Sequence, residues 1–490
     1  MAYIKSYRNQ NYILPPNITD LFSEDHVCYL IEQITDDLDY SEFNEKYAGA
    51  GHPAYPPRIP LKLLLMASVD GVRGSRKIAK QSSENVVYIY LSEKTQPDFR
   101  TISDFRKDNK KLLKNVFLQL NKFALEKGLI DLSHIFTDGT SVKANANNRK
   151  TVDKETLEKL SKYIDEIIEE GIKVDDEEDK LYGGRGMHQL PEDLNDKEKR
   201  KPMVSKIVRE INELMKEGKE EDVEKIKQNL DDIKQDMDKK GVKKYSFTDS
   251  DSRYMLNKKG KIELSYNAQL TVDKNGLIIA NEVIQESDDR NQLVSNVNQV
   301  EENFDELPED MKITADGGYE NASELQELDN RGYDVYVPGK NLNSNKKFAK
   351  ANFTYDEEKD IYVSPVGTIL KNVGSYFNKK QNRRLTIYKE TDAKSNDGKP
   401  LVIHALPEDK LLNRIKEKLR SKEGKEVYGL RKQTVETSIG DLKENRNFRS
   451  FLLRGIDKVK IEFCLACVAY NLVRINNLIN KPPDMKMVAV

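Results

Sequence analysis

The sequence predicts an α/β protein: a mixed sheet with flanking helices, preceded by an all-helical N-terminal domain and interrupted by a helical insertion. Three observations carry this. Helical periodicity alone runs from the N-terminus to about residue 130. Alternating apolar stretches that stop on Asp-Gly then appear at Leu132–Thr140 and at Lys312–Gly318. Between them, residues 151–245 return to helical spacing and dense charge.

Composition bounds the rest. A chain of 490 residues holds two to four domains by the usual prior. Charged residues make up 33% and hydrophobic residues 37%, with no tryptophan. No apolar run approaches the roughly 18 residues of a membrane span. Met1-Ala2-Tyr3-Ile4-Lys5 lacks an apolar signal region, so a cytoplasmic protein is expected, with no membrane partner. Three cysteines argue against a disulfide framework. The net charge of -2 gives no global pull toward nucleic acid, so such a partner must be met by local basic patches.

The N-terminal domain is expected over residues 1–130. Ser23 is positioned to cap a helix carrying Val27, Leu30, Ile31 and Ile34. Tyr55-Pro56-Pro57-Arg58 leads into the buried-helix pattern of Leu61, Leu63, Leu64, Leu65 and Met66. From Arg58 to Lys80 six basic residues (Arg58, Lys62, Arg73, Arg76, Lys77, Lys80) face one acid, Asp70. Gly74 opens a short helix, and Pro97-Asp98 opens a longer one running through Arg106 to Leu120 and Phe123. Short helices with cationic first turns suit a helix-turn-helix-like DNA reader. A solvated basic face on a bundle explains the same charges equally well.

Residues 131–150 and 246–340 carry the sheet. Leu132–Thr140 reads as a strand ending at Asp138-Gly139, and Asn145 and Asn147 supply amides close by. Residues 151–245 read as a helical hairpin or short antiparallel coiled coil, with Leu181-Tyr182-Gly183-Gly184-Arg185-Gly186 as a flexible connector, since no Walker lysine follows it. Ile262–Val272, the turn Asp273–Gly276 and Leu277–Ile284 form a hairpin. A helix, the strand ending at Asp316, another helix and the strand Tyr333–Pro338 follow. Residues 341–405 are polar with scattered β pattern, a small insertion. Residues 406–480 are helical and end in a core helix, where Cys464 and Cys467 read as small buried hydrophobes rather than metal ligands.

Asp138 and Asp316 lie 178 positions apart, yet both end predicted strands. An isolated Asp-Gly-Gly more often starts a turn than a site; a second such acid changes the weighing. Neighbouring strands lie about 4.8 Å apart, so two terminal carboxylates can share divalent ions. Paired metals clamp the attacking and leaving oxygens of a phosphodiester displacement, and hard oxygen donors suit Mg²⁺. A third carboxylate is then expected from a helix near the strand ends. The candidate lies within Tyr428-Gly429-Leu430-Arg431-Lys432-Gln433-Thr434-Val435-Glu436-Thr437-Ser438-Ile439-Gly440-Asp441-Leu442-Lys443. At helical spacing Lys432, Gly440 and Lys443 fall near the face of Glu436, where Lys432 can also form an ordinary i,i+4 pair with that acid.

These stretches together resemble a DDE transposase of bacterial insertion sequences, in the branch with a Tyr-Arg-Glu-Lys signature. The resemblance rests on Thr137-Asp138-Gly139-Thr140 with Ala144–Asn147, Tyr266-Asn267-Ala268-Gln269, Ala315-Asp316-Gly317-Gly318-Tyr319, Val435-Glu436 through Lys443, Phe448-Arg449 and Leu453-Arg454-Gly455. Arg76-Lys77-Ile78 and Pro97–Arg106 are similar to the helical domain that precedes the core in these enzymes. The resemblance implies a ribonuclease H-like core in which Asp138, Asp316 and Glu436 are catalytic and bind two Mg²⁺ ions, with Mn²⁺ able to substitute. It implies binding of double-stranded DNA, both element ends and target, then cleavage and strand transfer within a homodimer or larger synaptic complex. DNA contacts are expected at Arg76, Lys77, Arg106, Lys432, Lys443 and Arg449. Two departures stand out. The signature has three residues between its Arg and Glu, whereas Arg431 leaves four, so Lys432 stands at the expected distance. Relatives often carry clustered cysteines in the segment matching residues 360–400; this chain has none there, and no zinc module is expected. A domesticated transposase that grips DNA without cutting, and a nuclease that cuts without joining, are the competing readings.

Overall fold

The computed structural model describes residues 17–46, 54–178, 202–217, 219–257, 260–339, 348–356, 358–378, 383–390 and 400–480. The N-terminal pentapeptide and the glycine connector at 181–186 lie outside them. The chain is mixed α/β and divides into two compact units. One comprises residues 1–140, 267–449 and 460–490; the other comprises 141–266 and 450–459.

In the first unit, every described element before residue 127 is helical. The first α-helix, Val27–Asp36, is capped by the side chain of His26, which accepts from the Cys28 amide at 3.1 Å, rather than by Ser23. Asp98 caps the helix Phe99–Asp108 by accepting from the amides of Arg100 and Thr101 at 2.7 and 2.8 Å. The helix Lys110–Glu126 buries Leu113, Val116, Phe117, Leu120 and Ala124, one stripe at helical spacing. The expected basic face is partly internal. Lys62 is 2% exposed, with its ammonium 3.3 Å from Glu32 and 3.2 Å from Asp36, so burial is matched by paired charge.

The strands are numbered in chain order. β1 (His134–Lys143) opens the main sheet. In the second unit, β2 (Thr151–Asp153) pairs antiparallel with β3 (Lys244–Ser246), and β4 (Arg253–Leu256) pairs with the first residues of β5 (Ile262–Val272). The short strands β2 and β3 carry no alternation long enough to reveal them in the sequence. Between them the helices Lys154–Glu178, Pro202–Lys216 and Glu220–Lys239 close over their own core of Leu157, Leu160, Ile164, Ile211, Val223 and Leu230. This unit takes in residues on both sides of the 151–245 insertion.

In the first unit, β5 turns at Asp273–Gly276 into β6 (Ile278–Ile284). Asp273 holds that turn by accepting from the amides of Leu277 and Asp131 at 2.7 and 2.8 Å. The helix Leu293–Asn303, β7 (Lys312–Ala315), the helix Ala322–Asn330 and β8 (Asp334–Tyr336) follow. The strand order is β6-β5-β1-β7-β8, with β5–β6 antiparallel and β1, β7 and β8 parallel.

Five strands between residues 354 and 405 form a separate antiparallel sheet ordered β13-β12-β11-β10-β9. Its strands are β9 (Thr354–Asp356), β10 (Ile361–Val363), β11 (Ile369–Asn378), β12 (Arg383–Glu390) and β13 (Val402–Ala405). Phe353, Tyr355, Tyr362, Leu370, Tyr388 and Ile403 make its core. The helical tail is less continuous than its periodicity implies. Helices Asp409–Arg420, Lys422–Gly429 and Val435–Glu444 are followed by non-helical residues 445–455, then by the long helix Ile456–Asn480. On that helix Cys464 and Cys467 are free thiols, and burial pushes the Cys464 thiol up to about 12. The buried Asn471 seats the helix on β6, accepting from the Ile278 amide at 2.9 Å and donating to its carbonyl oxygen at 2.7 Å.

Candidate active site

The register of two strands brings the first two acids together. β1 and β7 are parallel, and their last matched pair is Thr137↔Ala315. Asp138 and Asp316 are each the next residue, so both carboxylates leave the sheet at one level. The strand expected to end at Asp138 continues to Lys143; only its pairing with β7 ends there. Asp316 instead caps a 3-10 turn, Gly317–Tyr319, accepting from the Gly318 amide at 2.7 Å.

Glu436 arrives from the first turn of the helix Val435–Glu444. The helix does not extend back to Lys432. Leu430–Lys432 forms its own 3-10 turn, and Thr434, with φ -107° and ψ -94°, breaks the chain between the two. That break absorbs the extra residue between Arg431 and Glu436. Arg431 therefore reaches the acids, and Lys432 is exposed outside the helical face expected for it.

The Arg431 guanidinium sits among the three carboxylates. Its Nη1 is 2.7 Å from Glu436 Oε1, and its Nη2 is 3.0 Å from Asp138 Oδ2 and 3.9 Å from Asp316 Oδ2. Asp138 is almost closed to solvent at 6%, whereas Asp316 and Glu436 are 38% and 40% exposed. Burial opposes the Arg431 charge, and the nearby acids with Tyr428 outweigh it, so its pKa is raised. Arg431 Nε is buried without a hydrogen-bond partner, so the arginine is held by charge more than by complete bonding.

The guanidinium stands where a cation is wanted. Three carboxylates converging on one positive charge are a hard-oxygen donor set of the kind that suits Mg²⁺. With Arg431 seated there, no three metal-ligating side chains among the described residues are close enough to hold an ion.

A fourth carboxylate, Asp289, escaped the sequence reading because it lies in the polar run Gln285–Arg290. It accepts from Asn267 Nδ2 at 2.7 Å and from Gln269 Nε2 at 2.6 Å. Gln269 accepts in turn from Asn296 Nδ2 at 3.1 Å and from the Tyr319 hydroxyl. Burial raises the Asp289 pKa against the pull of its two amides, and the nearby Asp316 charge adds to the rise. The signal was the pair Asn267 and Gln269, two amides on one buried face of β5. Gly139 makes room for this acid: a methyl there would lie 2.5 Å from Gln269 Nε2 and 2.8 Å from the Asp289 carboxyl carbon.

The expected cationic residues separate. Lys443 comes to the site, donating to Thr140 Oγ1 at 2.5 Å two residues past Asp138. Arg449 is exposed and pairs with Glu444. Arg76 and Lys77 are exposed on the helix Ser75–Glu84, with the Arg76 guanidinium 4.8 Å from the Phe99 ring. Arg106 is turned inward, 8% exposed, and donates to the Arg73 carbonyl oxygen at 3.1 Å. It therefore presents no charge to a phosphate.

Comparison with known families agrees with the arrangement. A family described as Transposase domain (DUF772) matches residues 16–108, and one described as Transposase DDE domain matches residues 377–476, which includes Glu436. These matches define a transposase. Together they support a DDE transposase of the insertion-sequence type. No curated protein matches it in sequence. No helix among the described residues is long and apolar enough to cross a membrane.

Proposed function

We propose that this transposase binds the ends of its insertion sequence and catalyses metal-dependent cleavage and strand transfer at Asp138, Asp316 and Glu436. The convergence of these three carboxylates on one positive charge carries the reading. The strand order β6-β5-β1-β7-β8, with the antiparallel pair β5–β6 on one side of β1 and the parallel strands β7 and β8 on the other, supports a ribonuclease H-like core. The same three residues would hold divalent ions, Mg²⁺ with Mn²⁺ as substitute. When bound, such ions activate the attacking oxygen and stabilise the leaving one.

The chain's own residues supply the rest. Asp138, closed from water, fixes one side of the site, and the more exposed Asp316 and Glu436 face incoming DNA. Arg431 must give up the carboxylates for ions to bind, and its planar fork suits a phosphate as its next anion. Lys443, steadied by Thr140, is set to contact a phosphate beside the acids. Gly440 leaves open space on that helix, as close approach of a DNA backbone requires. Arg76, Lys77, Lys432 and Arg449 are the exposed cations proposed to extend the contact; Arg106 is left out. Double-stranded DNA, ends and target, is the proposed partner, bound by a homodimer or larger assembly in the cytoplasm.

The test is Asp138→Asn, Asp316→Asn and Glu436→Gln, each assayed with Mg²⁺ on duplexes carrying the DNA that flanks the gene. Each should abolish cutting and joining while leaving duplex affinity within about twofold. Full cleavage by a folded variant removes that residue from the site. Wild-type cutting without joining favours a nuclease, and binding without cutting favours a derived DNA-binding protein.

A further inference from the structure

We propose that the β11–β12 ribbon is a second DNA-binding element, one that enters the major groove of duplex DNA with Lys371 and Lys389 on one face and Arg384 and Phe377 on the other. The inference rests on the transposase reading and adds a contact outside the triad, the N-terminal helices and the Glu436 helix.

The ribbon has two halves. Near its base, Leu370 and Tyr388 enter the small core, and Asp360 ties the strands by accepting from the Tyr355 and Tyr388 hydroxyls at 2.6 Å and from Asn372 Nδ2 at 2.9 Å. The register then shifts between Asn372 and Gly374, where Gly374 takes φ +126°, a conformation open to glycine. Past this bulge every β11 residue from Val373 to Phe377 is exposed, with Val373 at 53% and Phe377 at 57%. Folding gives no reason to leave an aromatic and a branched aliphatic uncovered on one short ribbon.

Charge identifies what covers it. From Ile361 to Lys389 the sequence has six basic residues and no acid, in a chain whose net charge is -2. Lys371, Arg384 and Lys389 are exposed, and among the described residues none of them is ion-paired. Lys371 lies directly opposite Lys389, and Phe377 opposite Arg384. Like charges across a ladder destabilise it, so the lysine pair works against the fold and needs an outside anion to offset it. A second copy of the same ribbon would bring more positive charge and is disfavoured for that reason. A polyanion is complementary. A two-stranded ribbon also fits the major groove of B-DNA, about 12 Å wide, and Phe377 beside Arg384 offers an apolar contact next to a phosphate clamp.

The experiment uses the full chain in EDTA, which removes cleavage from the readout, with a fluorescent random-sequence duplex of about 40 base pairs titrated at several salt concentrations. The triple variant K371Q/R384Q/K389Q should raise Kd about tenfold at 0.1 M salt and lower the slope of log K against log salt by about 2 to 3. Phe377→Ser should raise Kd about threefold with an unchanged slope. Circular dichroism melts should not fall below wild type, because all four side chains are exposed and the triple variant relieves the lysine repulsion. If wild type binds the duplex and the triple variant binds with the same Kd and slope, the ribbon is overturned and the transposase reading stands. If wild type shows no duplex binding, both fall. If Phe377→Ser converts a DNA-free dimer to monomer in sedimentation, the ribbon covers a second copy and the proposal is wrong.

Discussion

Replacing Gly139 with alanine should destabilise the protein and weaken its chemistry together, because the methyl would push Asp289 and Gln269 out of register with the acids. Overpacking of this kind costs about 1–3 kcal/mol. The companion Asp289→Ala removes the main obstacle, so the double variant should recover part of the loss in urea melts. Strictly additive effects would show that the contact is unimportant. The same neighbourhood shows what a sequence yields at this scale. Asp138 and Asp316 stood out because each ends an alternating stretch on Asp-Gly, and Glu436 because its stretch carries the motif resemblance. Asp289 was not, since a polar loop hides any single acid. Arg431 was misjudged for a different reason: counting residues to Glu436 assumes a continuous helix, and Thr434 interrupts it.

A buried histidine gives β1 a pH signature. His134 donates or accepts at Thr314 Oγ1 over 2.8 Å, and burial, helped by Lys312 and Lys274, lowers its pKa to about 4. Unfolded, it titrates near 6.5. Between these values the unfolded chain binds the proton and the folded chain does not. Its contribution is therefore present above about pH 6.5 and is lost as pH falls toward 4, on the order of 3 kcal/mol in all. His134→Gln should destabilise less at pH 4.5 than at pH 7 when unfolding free energies are compared with wild type, and parallel pH curves would rule this out. The helix Val435–Glu444 carries a second test. Lys443→Ala should reduce strand transfer and lower the salt slope of DNA binding by about one, with no change in the Mg²⁺ requirement. Wild-type joining with an unchanged slope would leave Lys443 with a structural role only. Element by element, long periodic helices and the β5–β6 hairpin were legible. The three-residue strands β2 and β3 and the break at residues 445–455 were not, because pairing and loop path depend on partners distant in sequence.

Across the whole molecule, the helical excursion begins and ends on one strand pair, Asp153↔Lys244. Residues 154–243 can then be exchanged for an Asn-Gly turn without stretching the backbone. Val152 would lose its cover and should be changed to threonine in the same chain. The shortened protein should stay monodisperse and keep a cooperative melt; aggregation with loss of that melt would show that the helices are needed for folding elsewhere. The sequence reading anticipated a helical hairpin here, which brings its two ends together, but not the β2–β3 pair that joins them.

The parallel register of β1 and β7 also sets what length changes this enzyme can tolerate. One residue added to β7 before Asp316 would move that carboxylate about 3.3 Å along the sheet and turn it to the opposite face. The pair would be lost by arithmetic alone, whatever residue was added. The turn between Arg431 and Glu436 accommodates one extra residue and still delivers both side chains. Insertions and deletions should therefore be lethal on the strand side of the site and survivable on the helix side.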